Sequence, residues 1–196
     1  TREKRHQKTK QAILDAARRI IVEKGIDALS IRAIAKRIDY SPAGLYEYFG
    51  SKEEIVDQVV QIGHNRLYEY LSRVDQSLPP QDYIRELGLE YIQFATQNSD
   101  YFLLMFTHIP PPEMTDHFED EDSTFTLLVQ GIGRAVDQGI FKLTEGQTVL
   151  SIAYAHWGLV HGLAMLQVTQ LSGVGLDFAA ADLDALLAFG RGWVAA

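Results

Sequence analysis

Apolar residues recur along this chain at the three-to-four-residue spacing of amphipathic helices. Ile13, Ala16, Ala17, Ile20 and Ile21 share one face of a first helix expected over about residues 6–24. Gly25 follows, where a left-handed cap residue belongs. Ser30 suits the N-cap of a short second helix with Ile31, Ile34, Ala35 and Ile38 inward and Arg32, Lys36 and Arg37 toward solvent. Asp39-Tyr40 makes a turn. Ser41 then caps, and Pro42 opens, a third helix expected over 42–49, with Leu45 and Phe49 inward. Gly50 ends it. Ser51 caps a long fourth helix, 52–74, and Glu54 completes a capping box.

Leu78-Pro79-Pro80 interrupts the pattern. Helices are expected over 81–96, with Tyr83, Ile84, Leu87, Tyr91 and Phe94 apolar, and over the short, very apolar 101–106. Pro110-Pro111-Pro112 ends the latter, and the acidic segment 113–122 reads as mobile, with a short helical turn as the alternative. Further helices are expected over 123–138, 145–171 and 177–194, the last two separated by Gly173 and Gly175. No strand, repeat or low-complexity tract stands out. The fold class is all-α, with 9–10 helices.

Composition changes the picture at three points. The chain has 196 residues and no cysteine, which excludes disulfides, thiolate metal sites and thiol catalysis. No apolar run is read as reaching the ~18 residues of a membrane span. The first ten residues, TREKRHQKTK, carry no apolar segment behind them and do not read as a secretory signal. The net charge of −8 is unevenly divided. Residues 1–52 hold 12 Lys and Arg against 6 Asp and Glu, +6; residues 53–196 hold 6 against 20, −14. A basic head on an acidic body suits a chain that meets nucleic acid only through its head.

Two short helices joined by a tight turn form a helix-turn-helix, whose second helix enters the major groove. The basic stretch Arg2, Lys4, Arg5, Lys8 and Lys10 reads as an arm within reach of phosphates, as do the hydroxyls of Ser30, Tyr46 and Tyr48. Lys52 stands at a helix N-terminus, which favours an anion. The residues Ser30, Ile34-Ala35, Ser41, Leu45-Tyr46, Tyr48-Phe49 and Ser51-Lys52-Glu53 resemble the head of the TetR family of bacterial transcriptional regulators over about residues 7–60. The resemblance implies an N-terminal three-helix DNA-binding head, 1–51, and a C-terminal effector-binding and dimerisation domain, 52–196. It gives Ser30, Tyr46 and Lys52 phosphate contacts and Pro42, Ala43, Gly44 and Tyr48 the groove-facing surface. Lys8, Arg32, Tyr40 and Ser41 complete the candidate DNA-binding set. Ile38-Asp39 stands where many members have Ala-Gly, and Ala43 where many have Gly. The recognition helix has no Arg, Asn or Gln, the usual bidentate base readers. Reading then falls to thymine methyls, second-helix side chains or DNA shape. Glu47 either accepts from cytosine N4 or is simply solvated.

In the C-terminal part, the segment from His156 to Leu163, HWGLVHGL, resembles the Trp-x-x-x-His-Gly signature of one domain class of this family. The resemblance implies a homodimer through a four-helix interface of helices about 145–171 and 177–194. Small Ala153, Gly158, Gly162 and Ala164 suit close helix approach, and Leu183, Leu186, Leu187 and Phe189 offer apolar area. Phe94, Phe102, Met105, Phe106, Tyr154, Trp157 and His161 are candidates to line a pocket for a hydrophobic or aromatic effector; plain core is the alternative for each. His156 and His161, five apart, are poorly spaced to share a metal. The run Glu119 to Asp122 with His108 and His117 reads as a solvated acidic loop more than a cation site. No catalytic, cofactor or metal signature is present. The expected protein is a cytoplasmic, ligand-responsive repressor binding a palindromic double-stranded DNA operator as a homodimer, with no membrane partner. An architectural or adaptor protein without a small-molecule switch, and an enzyme in the C-terminal domain, are the alternatives.

Overall fold

The computed structural model describes residues 1–108 and 123–194. Among them are nine α-helices and no strand; the one β-bridge joins Phe141 to Val194. The acidic run Glu119 to Asp122, His117 and the prolines 110–112 lie outside the described residues. The chain divides into two compact units, Thr1–His64 with Leu103–His108, and Asn65–Phe102 with the described part of 109–196.

The first unit is built on α1 (Arg2–Lys24), a 3-10 turn (Ile26–Ala28), α2 (Ile31–Arg37), α3 (Pro42–Leu45) and the first turns of α4 (Lys52–Leu71). The apolar stripes close on one core: Ile13, Ala17, Ile34, Leu45, Phe49 and Ile55 are all at most 1% exposed. Gly25 has φ +80°, as its capping place requires. α1 begins earlier than the apolar pattern indicated, at Arg2, so the basic stretch is helical and not a loose arm. Lys, Arg, Gln and Glu are good helix formers and carry the helix past its last apolar contact. α3 is shorter than expected. After Leu45 the bonds Tyr46 N–H to Ala43 O, Glu47 N–H to Gly44 O and Tyr48 N–H to Leu45 O tighten the chain to three-residue spacing.

The second unit centres on α5 (Pro80–Gln97), which packs against α7 (Thr124–Asp137), α8 (Val149–Val168) and α9 (Ala179–Arg191). α6 (Ser99–Thr107) contributes its first turn here and its last residues to the first unit. Glycines set the approach distances. A Cβ on Gly131 would lie 2.9 Å from the Tyr83 ring, and one on Gly88 would lie 3.0 Å from Leu186 and 3.1 Å from His156 Nε2. α8 and α9 are shorter than 145–171 and 177–194; a capping box of Thr148 and Ser151 starts α8 at Val149.

α8 also corrects the membrane-span reading. Over Val149–Val168 it is long and apolar enough to cross a bilayer, with mean hydropathy 1.4. Ser151, His156, His161 and Gln167 interrupt the run but carry no Asp, Glu, Lys or Arg charge. Little of this helix is covered by its own chain, with 28% of its apolar window buried. Exposed residues recur along it at every fourth position: Leu150, Tyr154, Gly158, Gly162 and Leu166.

Candidate nucleic-acid interface

Three hydroxyl caps frame the head. Ser30 Oγ accepts from Ala33 N–H at 3.1 Å, Ser41 Oγ from Gly44 N–H at 3.0 Å and Ser51 Oγ from Glu54 N–H at 3.0 Å. Each stabilises its helix start by about 1 kcal/mol. The Glu54 carboxylate accepts from Gly50 N–H at 2.6 Å, one residue earlier than a capping box would have it. The turn between α2 and α3 is held by Tyr40 N–H donating to Ala35 O at 2.9 Å, with Asp39 at φ +54°. Asp is among the few residues other than glycine that tolerate this region, so Asp39 can make the turn.

These caps and the turn present the candidate residues on the surface. Ser41, Pro42 and Ala43 are exposed, Gly44 and Tyr48 half-buried, and Tyr46 58% exposed. Lys8, Ser30, Arg32 and Tyr40 are exposed and Lys52 half-buried at the first residue of α4. The Tyr40 and Tyr48 hydroxyls are 3.4 Å apart and their rings meet edge to face. That hydrogen bond holds the Tyr40 phenol above its usual pKa. The His6 ring stacks on Tyr48 at 4.6 Å between centroids, 23° from parallel. Lys10 Nζ sits 5.1 Å over Phe49. Arg37 is on the solvent side as expected and is bound there to Glu23 by bonds of 2.7 and 2.6 Å, which hold the Glu23 carboxyl below its usual range.

Gly44 decides how the aromatic residues lie. A Cβ there would stand 2.7 Å from Tyr40 Cε1 and 3.0 Å from Ser41 Oγ. Gly44→Ala is expected to keep the fold, since alanine favours helix by up to ~1 kcal/mol, yet to push the Tyr40 ring off Tyr48. DNA affinity should fall about tenfold, equivalent to ~1.4 kcal/mol. Thermal melting together with fluorescence-anisotropy titration checks both; unchanged affinity would show that the Tyr40–Tyr48 pair has no part in binding.

The candidate effector residues are only partly brought together. In the second unit Phe102, Trp157 and His161 form one cluster with Tyr91: the Trp157 indole N–H donates to the Tyr91 hydroxyl at 3.3 Å, and that hydroxyl lies 2.9 Å from His161 Nδ1. Phe102 tilts over His161 at 5.4 Å, and Phe125 stands 6.0 Å from Trp157. Burial pushes the Tyr91 phenol up and the His161 imidazole down, so both stay neutral. Tyr91 and Phe125 were absent from the candidate set; as apolar positions in helical stripes they look like core. Phe94 packs on Tyr70 instead, at 5.5 Å, and Tyr154 is 69% exposed. Met105 and Phe106 belong to the first unit, where Phe106 meets His64. A half-open cavity of about 440 Å³ in the second unit is lined by Gln76, Tyr83, Gln130, Gly133, Arg134 and Asp137, none of them a candidate. His108, proposed for the acidic loop, lies 3.2 Å from Asp57 within the first unit.

Residues 13–59 match the model of the bacterial regulatory proteins of the tetR family, and residues 84–190 match the tetracyclin repressor-like C-terminal domain. The chain belongs to the TetR family. The first of these matches falls within the first unit and takes in α2, the turn and α3. Over 54 residues, 28% of each protein, the chain is 41% identical to the HTH-type transcriptional regulator UidR of Escherichia coli K12. It is 23% identical to the HTH-type regulator YobS of Bacillus subtilis over 94 residues, 48% of this chain and 49% of that one. The chain therefore spans about half the length of the curated relatives it matches, or less. Two solved structures share the TetR-like fold over nearly the whole chain. A protein of unknown function from Rhodococcus sp. RHA1 has a TM-score of 0.78 at 21% identity, covering 95% of both chains. The TetR family regulator PfmR of Thermus thermophilus has 0.73 at 20% identity, covering 91% of this chain and 97% of that one.

Proposed function

We propose that this TetR-family protein is a cytoplasmic, homodimeric repressor that binds a palindromic operator and is released by a small effector. The observation that carries the DNA-binding part is the recognition segment: a short helix capped by Ser41, with small residues outward and flanked by exposed hydroxyls. The exposed apolar face of α8 supports a dimer through α8 and α9. Two heads on one dimer would meet successive major grooves one helical turn apart. The Tyr91–His161–Trp157 cluster supports an effector that is hydrophobic or aromatic with a hydrogen-bonding group. Effector binding acts only if it favours a dimer whose heads no longer match the operator. α4, which runs from the head into the second unit, is the lever in this reading. No catalytic step is assigned.

The test is selection of random duplexes by the purified protein at about 0.15 M salt, then titration of the winner against a scrambled duplex. A palindromic winner bound far more tightly than the scramble is expected; salt-sensitive binding without sequence preference would point to an architectural protein. Tyr46→Phe and Lys52→Ala should each weaken binding about equally on every sequence. Lys52→Ala should also lower the slope of log affinity against log salt by about one. A loss confined to the selected operator would contradict their role at phosphates.

A further inference from the structure

The Tyr48 backbone N–H donates to Leu45 O at 2.9 Å, but its ring meets His6 and Tyr40, which lie outside the recognition segment. The residue follows the end of α3, in the tightened turn, where no further helical turn covers it. Its position comes from two neighbours instead: Tyr40, edge-on, and His6, face-on. His6 is exposed and lies on α1, more than 40 residues earlier in the chain.

His6 is one of a row. Arg2, His6 and Lys10 are spaced by four and so share a face of α1. Lys10 lies over Phe49 and His6 on Tyr48. The face therefore runs along the end of the recognition segment, and Arg2 stands one turn farther, ~6 Å past His6. Lys4, Arg5 and Lys8 add cationic charge to the same two turns, and the one acidic residue among the first ten is Glu3.

We propose that His6 is a positioning residue of the DNA interface: its stack fixes Tyr48 against the groove, and the α1 face that carries it makes Arg2 a further phosphate contact beside the recognition segment. The inference rests on the DNA-binding reading above. It makes α1 a working part of the interface and not only a support for the helix-turn-helix. The physical logic is pre-organisation. A tyrosine free to leave the surface must be ordered on binding, whereas one stacked beforehand costs less to engage.

The experiment measures affinity for the selected operator and its salt dependence for the full chain and four variants: His6→Ala, His6→Phe, Arg2→Ala and, as reference, Lys52→Ala. His6→Ala should weaken binding about three- to tenfold, the value of one aromatic pair. His6→Phe keeps a stacking ring and should restore affinity. Neither should change the salt slope. Arg2→Ala should weaken binding on operator and scramble alike and lower the slope by about one. The proposal is overturned if His6→Ala and Arg2→Ala bind within twofold of the parent while Lys52→Ala is weakened. It is also overturned if His6→Phe behaves as His6→Ala, which would make the imidazole itself a DNA contact. Failure of the parent protein to bind any duplex would instead overturn the DNA-binding reading. Arg2 and His6 are exposed and Lys52 half-buried, and equal melting temperatures confirm that only the interface has changed.

Discussion

Glutamate at both Gly158 and Gly162 is expected to give a folded monomer with operator affinity reduced at least about a hundredfold. The argument begins with space. A Cβ at either glycine meets nothing within 4 Å in the single chain. Each substitution also replaces a poor helix former by a good one, worth up to ~1 kcal/mol in a helix interior. A single chain should therefore tolerate the pair or gain from it. The dimer should not. Gly158 and Gly162 sit between Tyr154 and Leu166 in the exposed four-residue stripe of α8. Leu183 and Leu187 of α9 are each 37% exposed. If a partner's α8 and α9 close on this face, the glycines mark where helix axes approach most nearly, and two buried carboxylates there have no partner. Losing the second head removes the effective-concentration gain of two linked sites, on the order of 10²–10⁴. Analytical ultracentrifugation reads the mass and anisotropy reads the affinity. A variant that stays dimeric would place the subunit interface elsewhere.

The second large effect concerns stability. His156→Met is expected to stabilise the protein by about 1–3 kcal/mol at neutral pH, the cost of leaving buried polar atoms unpaired. His156 is 2% exposed, and neither ring nitrogen has a hydrogen-bond partner among the described residues. Its Nε2 lies 3.1 Å from where a Cβ on Gly88 would stand, and the Phe189 ring is 5.3 Å away. Burial pushes its pKa down to about 4. The sign follows from the unfolded chain, whose imidazole titrates near ~6.5. Between these values the unfolded state holds the extra proton, so stability is full above about pH 6.5 and falls as the pH drops toward 4. The loss approaches about 3 kcal/mol for this one group. His64 and His161 are also pushed down by burial and add to the same acid slope. Urea unfolding between pH 7.5 and 4.5 should show His156→Met more stable throughout and less steeply acid-sensitive. A variant that is less stable, with the parent's slope, would mean that His156 holds its neighbours by something other than shape.

What could be read in advance was local. Every cap proposed for the head, at Ser30, Ser41 and Ser51, is made, because a cap needs only residues three apart. The core faces of α1, α2 and α5 were equally legible, since a 3.6-residue period is a property of the chain alone, whereas Ala153, Ala164 and Leu186, expected at the dimer interface, are buried within the chain. Lengths were less so. α1 starts at Arg2, four residues before the expected residue 6, and α3 stops four residues short of Phe49. A helix end depends on which backbone bond wins, and apolar spacing says nothing of that.

The sequence by itself determined the all-α class, the helix-turn-helix and the contrast between a basic head and an acidic body. Those rest on periodicity, short-range capping chemistry and a count of charges. Only the tertiary structure decided which side chains meet. It joined His6 to Tyr48 and tied Arg37 to Glu23. It placed Tyr91 with Trp157 and His161 while sending Phe94 to Tyr70. It buried His156 with no hydrogen-bond partner among the described residues and left the apolar α8 largely uncovered. Each of these joins residues more than ten apart, or turns on how much of a helix other helices cover. Both depend on the packing of whole elements, which no local pattern encodes.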